Sequence, residues 1–214
     1  MIDRRRRRQL DHAVLIGAIC LGAAACGPPA SPTTQPITSP TSSTTPVAIR
    51  IGPGTQHSYA VEVQPAAGSC SYRADGGAWL PDPSCTPGAV NPQVIQANIA
   101  TTICRAGWTA TVRPPASVTG PEKVGSARAY GYTGSFRTGE YDHLIPLELG
   151  GDPNDPANLW LQPNDNPNAM STRNSKDGLE NTLNALVCSG RLTLATAQQA
   201  IAANWVIAAS SYQS

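Results

Sequence analysis

The chain has 214 residues, 40% of them hydrophobic and 14% charged, with 20 prolines, 19 glycines and six cysteines. Its fifteen basic residues include the five arginines at positions 4–8, and its fourteen acidic residues include Asp3 and Asp11. Setting residues 1–25 aside leaves ten basic against twelve acidic residues, near −2. That excludes a broad basic face gripping nucleic acid through many phosphates; such a partner needs a local patch.

Residues 1–25 read as an export signal. "MIDRRRRRQLDH" is a basic segment, and "AVLIGAICLGAAA" is an apolar run closed by small residues. The run is shorter than the about 20 apolar residues that span a bilayer comfortably. Cys26 follows Ala-Ala-Ala, which resembles a bacterial lipoprotein signal whose cysteine becomes the lipidated first residue. The expectation is a lipid-anchored protein of the cell envelope, with plain secretion as the alternative. Residues 26–46 are rich in Pro, Thr and Ser, with no aromatic or charged side chain. Such a segment buries no core and reads as a tether.

Export makes the cysteines legible. With Cys20 and Cys26 assigned to the signal, Cys70, Cys85, Cys104 and Cys188 remain. Four cysteines in an oxidising compartment imply two disulfides, with three pairings open. The absence of any C-x-x-C spacing argues against a zinc knuckle. Cys70–Cys85 is favoured because it closes a loop of Gly, Pro and Asp. Cys104–Cys188 then ties the N-terminal half to the C-terminal helices.

The folded part is expected from about Val47. In "SYAVEVQP", Tyr59, Val61 and Val63 alternate with small and polar residues, which predicts a half-buried strand begun by a structural His57. Residues 66–88 are turn-rich and predict a hairpin or disulfide-pinned loops. "NPQVIQANIATTIC" predicts a helix capped by Asn91, with Ile95, Ile99 and Ile103 at helical spacing. "WTATVRPP" reads as a strand ended by proline. Strands follow over 141–147 and 158–162, with a turn at Gly150-Gly151 that needs positive φ. A helix over 175–188 is capped by Asn174 or Ser175 and stripes Leu179, Leu183, Leu186 and Val187. A second helix is capped by Thr193 and stripes Leu194, Ala197, Ile201, Trp205 and Ala208. These divide into a β-rich part with one helix, 47–115, and an α+β part, 116–214.

The chemistry centres on "EYDHLIPLELGGDPNDPANLWLQP", residues 140–163. An Asp-His pair alone is weak, because neighbouring strand residues face opposite ways and share a site only at a bend or strand end. A third group at the start of the following helix, Asn174, can offer an amide oxygen to a hard cation. Arg173 and Lys176 flank it and can meet phosphate near a helix N-terminus. Arg113, Arg128 and Arg137 read either as phosphate contacts or as solvated charges, and Glu148 as surface. With only His57 and His143 left after the signal, a three-histidine zinc site is ruled out by count.

In "DHLIPLELGGDPNDPANLW" and "RNSKDGLE" the chain resembles the HNH endonucleases. The likeness covers roughly residues 141–180, and the flanking "VRPP" and "LVCSGRLTLATAQQAIAANW" look like exported bacterial members. The resemblance implies an α+β fold with a ββα-metal motif, C-terminal helices and an N-terminal disulfide-linked β-rich region. It implies hydrolysis of nucleic-acid phosphodiesters, DNA first and RNA second. His143 would be the general base, and Asn158 would brace the loop that holds it. Asp142 and Asn174 would carry a divalent metal, Mg²⁺ first and Mn²⁺ second. Asn174 departs from the histidine many members place on the helix, and Asn164, Asn166 and Asn168 compete for its role. No obligate protein partner is evident, and lipidated Cys26 would supply the membrane contact. The alternative is an inactive, envelope-tethered binding module on the same scaffold.

Overall fold

The computed structural model describes residues 46–166 and 168–213. The export signal, Cys26 and nearly all of the tether lie outside the described residues. Among the described residues no helix is long and apolar enough to cross a membrane.

The N-terminal part is built from very short strands. β1 (Arg50–Ile51) pairs in parallel with β4 (Ala89–Val90), and β2 (Arg73–Asp75) pairs antiparallel with β3 (Ala78–Leu80). The β2–β3 turn is Gly76-Gly77, both at positive φ (55° and 87°), the backbone that a two-residue hairpin turn demands. A 3-10 helix at Gln96–Thr101 and helices α1 (Trp108–Val112) and α2 (Ala116–Ala129) follow. The C-terminal part holds β5 (Glu140–His143), a 3-10 turn at Leu147–Leu149, β6 (Leu159–Gln162), α3 (Lys176–Cys188) and α4 (Leu194–Tyr212). The fold is mixed α+β.

α3 and α4 carry the expected stripes. Leu179, Leu183, Val187, Leu194, Ala197, Ile201, Trp205 and Ala208 all join the main core with Leu144, Ile145, Leu147 and Leu149. Thr193 caps α4 by accepting the Thr196 N–H. A second cluster gathers Trp160, Tyr130 and Ala129 against the Cys70–Cys85 bridge. Both disulfides are present, Cys70–Cys85 and Cys104–Cys188, with Cα–Cα distances of 6.0 and 5.5 Å. Such bridges belong to a chain matured in an oxidising compartment, extracellular or in the envelope.

Four elements differ from their expectations. The strand expected over 141–147 ends at His143, and Leu147–Leu149 form a 3-10 turn instead. Residues 58–65 are extended but join no sheet, and Val61 and Val63 are 51% and 90% exposed. Their backbone is tied by side chains instead: the Glu62 N–H donates to Glu122 and Asn154 donates to the Ala60 carbonyl. His57 is exposed and starts no strand. "WTATV" is a helix, because Trp108 and Val112 are buried one turn apart, a spacing that also mimics strand alternation. The helix expected over 91–104 is only a 3-10 segment. There the Asn98 amide accepts the Ile95 N–H and donates to the Gln93 carbonyl, drawing the backbone away from an α-helical ladder.

The glycine pair serves two purposes. Gly150 has φ +70°, as a turn requires, whereas Gly151 is held by close approach: a Cβ there would sit 1.7 Å from the Ile145 carbonyl oxygen. Gly151→Ala must push the 145–151 turn apart and is expected to destabilise the fold by about 2–4 kcal/mol in chemical denaturation. Gly190→Ala serves as control, since its Cβ meets nothing and only its positive φ is strained.

Candidate active site

β5 and β6 form a regular ladder in which Glu140, Tyr141, Asp142 and His143 face Gln162, Leu161, Trp160 and Leu159. Neighbours on a paired strand point to opposite faces. Glu140 and Asp142 therefore share one face, and Tyr141 and His143 share the other. Pairing stays regular through His143, so no bend brings Asp142 and His143 together. Partners on the Asp142 face come from α3, and those on the His143 face from α2 and the loop between the strands.

His143 is 7% exposed, with Nε2 3.0 Å from the Pro153 carbonyl oxygen. Only an N–H can donate to that oxygen, so the proton is assigned to Nε2 and Nδ1 keeps its lone pair. Burial pushes the imidazole pKa from 6.5 down to about 4, against the pull of Asp142. The ring is therefore neutral at physiological pH. It lines a cleft of about 290 Å³ together with Arg113, Thr119, Lys123, Glu140 and Thr172. Lys123 is anchored there, donating to the Phe136 carbonyl at 2.8 Å and lying 5.6 Å from the Phe136 ring centroid. The Arg113 side chain is exposed. Glu140 is pushed up to about 7 by burial, then by Asp142 and Asp177.

Asn158 lies beneath the loop that carries His143 and is fully buried. Its Oδ1 accepts the Ile145 N–H (3.0 Å) and the Ala89 N–H (3.3 Å); its Nδ2 donates to the Ile145 and Asp152 carbonyls (both 3.0 Å). Its own carbonyl accepts the Leu144 N–H at 2.7 Å. One amide thus ties Ile145, near the start of the 144–158 loop, to Asp152 in its middle and to its end. Asp152 finishes the loop, accepting N–H groups from Gly54, Asn154 and Asp155.

The Asp142 face departs from expectation. Lys176 is wholly buried, and its Nζ donates to Asp142 Oδ2 at 2.7 Å, to the His143 carbonyl at 2.7 Å and to Glu180. Lys176 is therefore not a phosphate contact; its ammonium is turned inward and all three of its donors are used. Two carboxylates hold it charged, overcoming burial and keeping its pKa raised. Asn174 is also placed differently. Its Oδ1 accepts the Lys176 backbone N–H at 2.9 Å, and its Nδ2 donates to Glu140 rather than turning to Asp142. Of the competing asparagines, Asn164 ties Ser171 and Arg173 carbonyls within its own loop, and Asn166 accepts the Asn168 N–H. Arg173 is exposed beside Thr172 at the cleft, and Glu148, expected at the surface, is half-buried.

For a divalent ion, then, the residues do not fit. Asp142 is engaged by an ammonium, and the Asn174 oxygen is turned to its own helix. Among the described residues no group of three or more His, Cys, Asp or Glu could hold a metal. Glu140, Lys123 and Glu180 were not foreseen as part of the site. The signal for Lys176 was present: Lys176, Leu179, Leu183 and Val187 fall on one buried stripe of α3, with Glu180 one turn beyond the lysine.

The imidazole carries a pH signature. Unfolded, His143 binds a proton below about pH 6.5; folded, only below about 4. Between those values the unfolded state binds more protons, so this group's contribution to stability falls as pH drops through the window. Glu140, raised to about 7, pulls the opposite way, so the readout is a difference between proteins. The stability–pH slope of wild type minus that of His143→Gln is expected to reach about 1.2 kcal/mol per pH unit near pH 5. Denaturant titrations at pH 4.5–7 measure it. Asn158→Ala, which strands two buried N–H groups, is expected to cost about 2–4 kcal/mol by the same method.

No family model, curated protein or solved structure matches the chain.

Proposed function

We propose that the chain is an exported phosphodiesterase of the HNH type that cuts nucleic acid, DNA first and RNA second, outside the cytoplasm. The observation that carries this reading is a neutral, tautomer-fixed His143 facing the same cleft as Arg113 and Lys123. Phosphodiester hydrolysis needs a base for the attacking water and positive charge for the phosphoryl oxygens. Nδ1 of His143 takes the water's proton as the water oxygen bonds to phosphorus; the P–O bond to the leaving oxygen breaks, and that oxygen takes a proton from solvent. Arg113 and Lys123 balance the charge that grows on the phosphate, and Asn158 fixes the loop behind the ring. The HNH resemblance assigns His143 and Asn158 the same roles. The expected metal at Asp142 and Asn174 takes no part in this account.

Incubating the purified mature protein with plasmid and with single-stranded DNA and RNA tests the reading. His143→Ala is expected to lower cleavage by about 10²–10⁴-fold. Arg113→Ala and Lys123→Ala are expected to weaken substrate binding by roughly tenfold each. Absence of cleavage, or equal cleavage by His143→Ala, would sink the hydrolytic claim. One observation favours the alternative, a binding module without turnover: the buried ammonium at Asp142. That reading predicts nucleic-acid binding dependent on Arg113 and Lys123 with no product formed.

A further inference from the structure

We infer that Lys176 is the resident cation of this unit: its ammonium takes the place at Asp142 that the HNH likeness reserves for a divalent ion, and closes that carboxylate to metal. Three observations converge on this. Lys176 is 0% exposed, and its Nζ is held between Asp142, Glu180 and the His143 carbonyl. An ammonium has three N–H donors, and each has an oxygen acceptor here. The backbone N–H of the same residue takes the Asn174 oxygen, so one lysine engages both expected metal ligands.

Exchange for a metal ion is disfavoured by the surroundings. Residues on the same α3 stripe, Leu179 and Leu183, are fully buried, and Lys176 reaches its partners from within that apolar packing. A divalent ion entering at Asp142 would strip a buried ammonium of its partners, and an uncompensated buried charge is among the costliest defects in a fold. The charged groups facing the ammonium are Asp142 and Glu180, with Glu148, Asp177 and Glu140 further out and Arg113 and Arg173 as the nearby cations. Acidic groups outnumber basic ones around this point, so a fixed internal cation is what allows Asp142 and Glu180 to sit together.

The inference concerns the same site as the proposed hydrolysis and rests on the HNH likeness for what Asp142 would otherwise bind. Its readout is ion binding without substrate, so a failed cleavage assay leaves it untouched. Mn²⁺ binding to the mature protein is followed by electron paramagnetic resonance, alongside thermal unfolding in EDTA and in millimolar Mn²⁺. Wild type is expected to bind no Mn²⁺ at Asp142 and to unfold at the same temperature in both buffers. Mn²⁺ binding that disappears in Asp142→Asn overturns the inference; Mn²⁺ binding unchanged in Asp142→Asn supports it, because Asp142 is then no ligand. Lys176→Gln is expected to lower the unfolding temperature by about 10 °C in EDTA and to regain part of that loss with Mn²⁺. A Lys176→Gln protein as stable as wild type in EDTA also overturns it. Should that variant fail to fold, the wild-type and Asp142→Asn measurements decide alone.

Discussion

Neighbouring side chains on a paired, extended strand look away from each other, and Asp142 and His143 are neighbours on β5. Much of the site follows from that geometry. Asp142 is turned toward α3, where a carboxylate that is only 14% exposed needs a positive partner. His143 is turned toward α2, where burial holds it neutral and the Pro153 carbonyl fixes its proton. The hairpin therefore separates an ion-pair layer from an imidazole layer. The Lys176 ammonium spans the two through the backbone, because one of its acceptors is the carbonyl of His143 itself.

A loop of fifteen residues, 144–158, joins two four-residue strands; Leu144, Ile145, Leu147 and Leu149 enter the core, while Asp152, Asn154 and Asn158 are buried polar residues. Buried backbone groups must find partners; backbone carbonyls satisfy many of the loop's N–H groups, and one asparagine and one aspartate satisfy those at Ile145, Asn154 and Asp155. Asn158 binds Ile145 on one side and Asp152 on the other; Asp152 binds N–H groups inside the loop and reaches Gly54 in the N-terminal part. Asp152 N–H and Gly88 N–H complete the tie, donating to the Ala89 and Ala157 carbonyls. The N-terminal strands, though only two or three residues long, thus help to fix the loop that positions His143. Burial raises the pKa of Asp152 while its accepted N–H groups pull it down.

The parts legible in the sequence were those with one strong period or a covalent constraint. α3 and α4 showed their stripes and the Thr193 cap, and both disulfides followed from cysteine count and position. Asn158 was placed as the loop brace through the HNH likeness. The misread parts had weak or double signals. Trp108 and Val112 satisfy helical and alternating spacing equally. α2 drew no expectation at all: it contains Gly120, Pro121 and Gly125, all poor helix formers, and among its buried residues Val118 alone is a large apolar one. Lys176 was misread because a charged residue near a helix start is normally solvated. Its place on the buried α3 stripe and the nearby Glu180 were local hints, but Asp142 reaches it from β5, a tertiary contact that the stripe alone does not carry.

Charge and size together narrow what the cleft can hold. A chain near −2 outside its signal has no field to draw in a duplex along its length. The cations lining the cleft are few and local, Arg113 and Lys123. A volume of about 290 Å³ lies at the lower end of small-ligand sites. Lys176 adds nothing to this attraction, since its charge is already balanced by Asp142 and Glu180 inside the core. Positive charge in this protein therefore has two separate settings: the Lys176 ammonium is buried between β5 and α3, while Arg113 and Lys123 line the cleft that His143 also faces.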